Sequence, residues 1–246
     1  MTSPVFVDAY ALDDGGHLDI DALVAAGLPW AGIGLKATEG LYYPKDPSWF
    51  HSYWPKARSA AGSRYGQTFF RFAYHYFRTD EDAVKQADFA LGLVDSAGGW
   101  AEGDLRLVVD VESAEQPVGV MAQQVIDGVS AFAERVKTRH GQAPILYAGS
   151  YLRDLKITDH MGCAYLITAA YGATLPASLY ESMGWDLAEL LGWQYCSTDA
   201  YTGPANYPRQ CPLGPGPLDL TALTIANGST PEQQLAWLQG DIAHGA

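Results

Sequence analysis

The chain has 246 residues, 48% of them hydrophobic, enough apolar material for a large core and too much for a disordered protein. Lys and Arg number 15 against 28 Asp and Glu, a formal net charge of −13. That argues against a nucleic-acid partner, which needs a basic face, and against a polybasic membrane anchor.

The start, Met1-Thr2-Ser3-Pro4, runs straight into Val5-Phe6-Val7. It lacks the basic stretch and long apolar segment of an export signal. No run approaches the ~20 apolar residues of a membrane span, so no membrane insertion is expected.

Val5 to Asp8 is a short apolar strand ending in an acid. Asp19 to Gly27 reads as a helix with a glycine stop. Trp30 to Lys36 is a second strand, and Asp46 to Ala61 has helical spacing. Thr68 to Phe77 is aromatic and strand-like, then Asp80 to Ser96 is a helix with Thr79 as its expected N-cap. Leu105 to Val111 is a near-continuous apolar strand, followed by a long amphipathic helix from Gly119 to His140. Pro144–Tyr147, Ala164–Ala170, Leu191–Tyr195 and Pro217–Leu220 are further strands. Tyr195 to Pro217 reads as one long surface loop. Pro231 to Ile242 is a closing helix capped by Thr230.

Strands alternating with helices predict an α/β fold with a parallel sheet. About eight strands predict that it closes into a single irregular (β/α) barrel, similar to a TIM barrel, with its site at the carboxyl ends of the strands. One domain, 1–246, is expected.

Three strands end in acids: Asp8, the pair Asp110 and Glu112, and Asp219. Residues i and i+2 of a strand face the same side, so Asp110 and Glu112 are expected roughly 6.6 Å apart at Cα. Two such carboxylates can divide acid and base work, as glycosidic cleavage requires. The plainer alternative is that they cap a helix or pair with basic neighbours. Tyr74, Tyr147, Tyr171 and Trp193 lie near strand ends and suit stacking on sugar rings, while core packing is the alternative for each one. Scattered histidines predict no metal site, and His75 is expected to be packed and hydrogen-bonded. No nucleophile elbow or phosphate loop is present, and no cofactor is expected. The odd count of Cys163, Cys196 and Cys211 gives no disulfide framework, leaving a Cys196–Cys211 bridge open.

Several segments, in this order, resemble glycoside hydrolase family 25, the Chalaropsis-type lysozymes. They are Phe6-Val7-Asp8, Lys36-Ala37-Thr38-Glu39-Gly40, Ala73-Tyr74-His75-Tyr76-Phe77, Val108-Val109-Asp110-Val111-Glu112, Ile145-Leu146-Tyr147, Gly192-Trp193-Gln194-Tyr195 and Pro217-Leu218-Asp219. The resemblance covers about residues 5–223. It departs from the family's pattern after Asp8, where Ala9-Tyr10-Ala11-Leu12 stands, and at Thr221 in place of an Asn.

The resemblance implies a muramidase acting on bacterial peptidoglycan at the β-1,4 bond between N-acetylmuramic acid and N-acetylglucosamine. It implies Glu112 as general acid, Asp110 as the residue that orients an assisting N-acetyl group, and Asp8 and Asp219 as the rest of an acidic floor. Tyr74, Tyr147, Tyr171 and Trp193 would line the groove, with Lys36 and Glu39 beside it. Together with the absent export signal, it implies release by lysis through a holin, as for a phage endolysin, or a phage-tail or injection-particle partner. The alternatives are a non-catalytic saccharide-binding or structural barrel subunit, and a hydrolase of another N-acetylated polymer such as chitin.

Overall fold

The computed structural model describes the chain except residues 1–2, 12–16, 115, 173, 198–199, 202, 205, 209–210, 214–217, 225–229 and 243–246. Of the sequence expectations, Leu12, Pro217 and part of the 195–217 loop lie outside the described residues.

Eight strands close a barrel. β1 (Val5–Ala9), β2 (Trp30–Glu39), β3 (Phe70–Tyr76), β4 (Val108–Val111), β5 (Ile145–Ala148), β6 (Tyr165–Ala169) and β7 (Leu190–Ser197) pair in chain order, all parallel. β8 (Ala200–Tyr201) folds back on β7, and β9 (Asp219–Leu223) closes the ring between β1 and β7.

β9 runs antiparallel to both neighbours, so the barrel is mixed rather than wholly parallel. A parallel return needs a crossover, usually a helix, to carry the chain back to the other end. No helix stands between β7 and β9 among the described residues, so β9 sets out from the end where β7 stopped. Asp219 is therefore the first residue of its strand, not the last, yet it lies at the same barrel end as the carboxyl ends of the others.

The helices α1 (Ile20–Ala26), α2 (Ser48–Ala61), α3 (Ala83–Ser96) and α4 (Ala122–His140) follow the early strands. Past β5 only single turns remain, α5 (Ser150–Asp154) and α6 (Ala177–Glu181). α7 (Pro231–Trp237) follows β9 with the Thr230 cap and Pro231 at its first turn. α3 is capped by Asp82, whose side chain accepts from the Lys85 N–H at 3.0 Å, and not by Thr79. Thr79 instead donates its hydroxyl to Gln116 at 3.0 Å, tying the β3–α3 loop to the β4–α4 loop. Among the described residues no helix is long and apolar enough to cross a membrane.

Strand alternation sorts the core into two shells. Val5, Val7, Ile33, Leu35, Val109, Val111 and Leu146 point outward against the helices. Phe6, Phe72, Val108, Ile145, Ile167 and Leu223 point inward and plug the barrel. Each such fully buried side chain contributes ~1.5–3 kcal/mol of transfer free energy. On β2 the inward positions are Gly32 and Gly34, which leave room for the Phe6 and Phe72 rings. His75 points outward, is fully buried and stacks on Phe132. Its Nδ1 accepts from Thr38 at 2.7 Å and its Nε2–H donates to Gln86 at 3.0 Å. The roles follow because Gln86 Oε1 also accepts the Arg78 N–H, which fixes it as the oxygen. Burial holds the His75 imidazole neutral, with its pKa pushed down to about 3. At the amino-terminal end Arg71 forks onto Asp104 at 2.6 and 3.0 Å and stacks on Trp54. All three cysteines are free thiols.

Candidate active site

Above the apolar plug the inward positions turn polar. Asp8 follows Phe6 on β1, Tyr74 follows Phe72 on β3, Asp110 and Glu112 follow Val108, and Tyr147 follows Ile145 on β5. Together with Gln194 and Asp219 these side chains line one cavity of about 60 Å³. That space admits a few waters, each needing ~10–15 Å³ of it, and not a sugar ring. A larger cleft of about 760 Å³ opens at the amino-terminal end of the barrel, near Arg58, Arg71 and Gly103. It contains none of the strand-end acids.

Pairing registers bring the acids together. Asp8 stands directly opposite Asp219 across β1 and β9, with Cβ atoms of such pairs roughly 4.5–5.5 Å apart. Like charges facing each other there are destabilising. Thr221 eases this by donating its hydroxyl to Asp8 Oδ2 at 3.3 Å. Asp110 pairs with Tyr76 on one side and Tyr147 on the other. It is 8% exposed, and its Oδ1 is buried with no hydrogen-bond partner. Burial first, then the Glu112 charge, raise its pKa well above the carboxylate range, with Asp8 and Asp219 adding to the shift. Burial likewise raises Glu112, which is only half-buried, while Lys36 and the nearby Tyr147 hydroxyl pull it back. The arrangement keeps a proton on the Asp110–Glu112 pair at pH values where exposed carboxyls have lost theirs.

Lys36, the next inward position of β2 after Gly34, is the cation of the site. Its Nζ is 2.7 Å from Glu39 and sits within 5.1–5.6 Å of the centroids of the Tyr76, Tyr43 and Tyr10 rings. Its field lowers the pKa of both Asp110 and Glu112. Glu39 itself faces the adjoining cleft rather than the acid cavity. Tyr74 donates to the Ala9 carbonyl at 3.4 Å, bracing β1. Tyr147 and Tyr171 both reach Gln194 Oε1, at 2.6 and 2.9 Å. Tyr147 is buried, whereas Tyr171 is 51% exposed at the rim.

Trp193 is not brought into the cavity. It packs outward, its indole N–H on the Ala170 carbonyl at 2.7 Å and its ring against Tyr195 and Tyr207. The cause is a bulge: Leu166 pairs with Leu190, but the next residue, Ile167, pairs with Gly192. The extra residue Leu191 reverses the facing of the rest of β7, so Gln194 points inward. Gln194 and Phe72 are cavity residues that the sequence reading did not single out. Their inward positions on β7 and β3 are the signal that finds them, once the bulge is known. Among the described residues no group of three or more His, Cys, Asp or Glu is arranged to hold a metal ion.

A family model described as glycosyl hydrolases family 25 matches residues 14–203. That span contains Asp110 and Glu112, whereas Asp8 and Asp219 lie outside it and arrive by strand pairing. An N,O-diacetylmuramidase of Chalaropsis sp is 27% identical over 182 residues, covering 70% of this chain and 80% of that protein. An N,O-diacetylmuramidase of Arthroderma benhamiae is 28% identical over 166 residues, 65% of this chain. The chain spans only 62% of that relative's length. In structure, a bacterial lysozyme from Streptomyces coelicolor superposes with a TM-score of 0.72 at 20% identity, over 97% of this chain and 98% of that one.

Proposed function

The chain belongs to glycosyl hydrolases family 25, and on that premise we propose that it is a muramidase. The bond cut is the β-1,4 link between N-acetylmuramic acid and N-acetylglucosamine in peptidoglycan. The observation that carries this reading is the convergence of Asp8, Asp110, Glu112 and Asp219 on one cavity.

Glu112 is the general acid. It is the less buried of the central pair and so faces a bound glycan, and burial raises its pKa. Asp110 lies deeper. A substrate N-acetyl N–H that donates to Asp110 favours its carboxylate form, and the shared proton then rests on Glu112. The acetamido oxygen, held by that contact, attacks the anomeric carbon as the glycosidic bond breaks. The Glu112 proton goes to the departing oxygen, leaving an oxazolinium ring whose N–H faces the Asp110 carboxylate. Glu112, now ionised, takes a proton from water as that water attacks the anomeric carbon and reopens the ring. Lys36 keeps the ionised state within reach by opposing the burial of both carboxylates. Asp8 and Asp219 hold the sugar or the water above the floor.

A proton-transferring side chain contributes typically ~10²–10⁴-fold. The Glu112→Gln variant is therefore expected to release reducing sugar from cell walls at least ~100-fold more slowly than wild type. Equal release by the two proteins removes the catalytic assignment. Mass spectrometry of the products checks the bond: reducing ends on N-acetylmuramic acid support the reading, and reducing ends only on N-acetylglucosamine refute it.

A further inference from the structure

We propose that the cleft beside the acid cavity, where β2 and β3 end, is a subsite for the short peptide that peptidoglycan carries on its muramic acid. The inference rests on the muramidase reading and deepens it. The cleft holds about 620 Å³, ten times the acid cavity, and falls in the size range of peptide- and drug-sized ligands. It adjoins the acids through Lys36, whose Nζ touches Glu39 and faces the Tyr43 ring on the cleft side. The same ammonium acts on Asp110 and Glu112 on the other side. A sugar whose anomeric carbon lies over the acids carries its peptide on the same ring. That peptide has to leave through an adjoining space, and this cleft is one.

The lining fits a peptide better than a second sugar. Tyr42, Tyr43 and Pro44 form one part of the wall, with Tyr42 76% exposed. Arg78, Asp80 and Glu81 form another, and Lys45 adds a second cation. A neutral sugar gains little from charges of both signs. A peptide that bears carboxylates and a free amine finds an opposite charge for each. The charged wall is also held in place. Glu81 accepts the Leu41 N–H at 2.6 Å, and Arg78 Nε lies 3.4 Å from Asp80. Charges fixed before binding cost less ordering entropy when the ligand arrives.

The test compares two substrates: glycan strands with their peptides, and the same strands stripped of peptide by an amidase. Wild type is expected to show kcat/KM about tenfold higher or more on the peptide-bearing strands. Tyr42→Ala combined with Lys45→Glu changes two exposed side chains, so the fold should survive, as a melting curve will verify. In that variant the preference should fall to about threefold or less. A wild type without preference, a variant with the wild-type preference, or a variant losing the same factor on both strands overturns the subsite. A wild type that cuts neither strand overturns the muramidase reading, and the subsite with it. Cleavage without peptide preference overturns the subsite alone.

Discussion

Asp110 is held where a carboxylate is least at home, walled by Val108, Tyr147 and Ile167 and facing three other acids. Burial and the Glu112 charge raise its folded pKa. The unfolded chain gives up this proton near pH 4, whereas the folded chain keeps it to higher pH. Between those two values the native state binds more protons, so its stability falls as pH rises. Asp110→Asn removes the penalty. Its melting temperature should exceed wild type by a few degrees at pH 8 and approach it at pH 3.5. A variant that melts below wild type at pH 8 would contradict the proposed burial cost. Asp8, Asp110 and Glu112 were legible from sequence because a charged residue directly after an apolar strand is conspicuous. Gln194 was not, because an uncharged amide in Gly192-Trp193-Gln194-Tyr195 gives no such contrast, and the neighbouring indole looks the better sugar platform.

The strand β2 shows how an element shapes a site through what it lacks. Its inward positions run Gly32, Gly34, Lys36, two gaps and then a cation. A Cβ on Gly34 would land on the Asp8 carboxylate and on the Phe72 ring, so the glycine makes the space that Asp8 occupies. Gly34→Ala must displace one or both. The expected result is a kcat at least ~10-fold lower, because small misplacements at a reacting centre are costly. KM should change less, with a stability loss of ~1–3 kcal/mol from overpacking. Kinetics and melting curves on the same preparation separate the two effects, and an unchanged kcat would contradict the expected displacement of Asp8 from the chemistry. Strand existence was readable from apolar and aromatic runs, although the last strand, expected at Pro217–Leu220, lies at Asp219–Leu223. Strand direction and bulges were not, because a period of two is the same in both directions and an extra residue leaves the composition unaltered. Hence β9 was expected parallel, and Trp193 was expected inside.

At the scale of the whole molecule the charge of −13 works against an anionic polymer. Its repulsion reaches about one Debye length, ~30 Å at 0.01 M salt and ~8 Å at 0.15 M. Raising salt over that range should therefore increase kcat/KM on intact walls severalfold, and should matter far less on short uncharged glycan fragments. Turbidity and reducing-sugar assays across the range check this, and a decrease with salt on intact walls would show that attraction at a local basic patch outweighs the overall charge. The overall barrel was legible because alternating strands and helices leave few other closures. The clustering of acids from both halves of the chain is a consequence of that closure.

The seam between β1 and β9 sets Asp8 against Asp219, residues far apart in the sequence. Asp219, one of the four acids, is brought to the cavity by the strand that closes the barrel. The four acids share one cavity only where β9 is seated between β1 and β7.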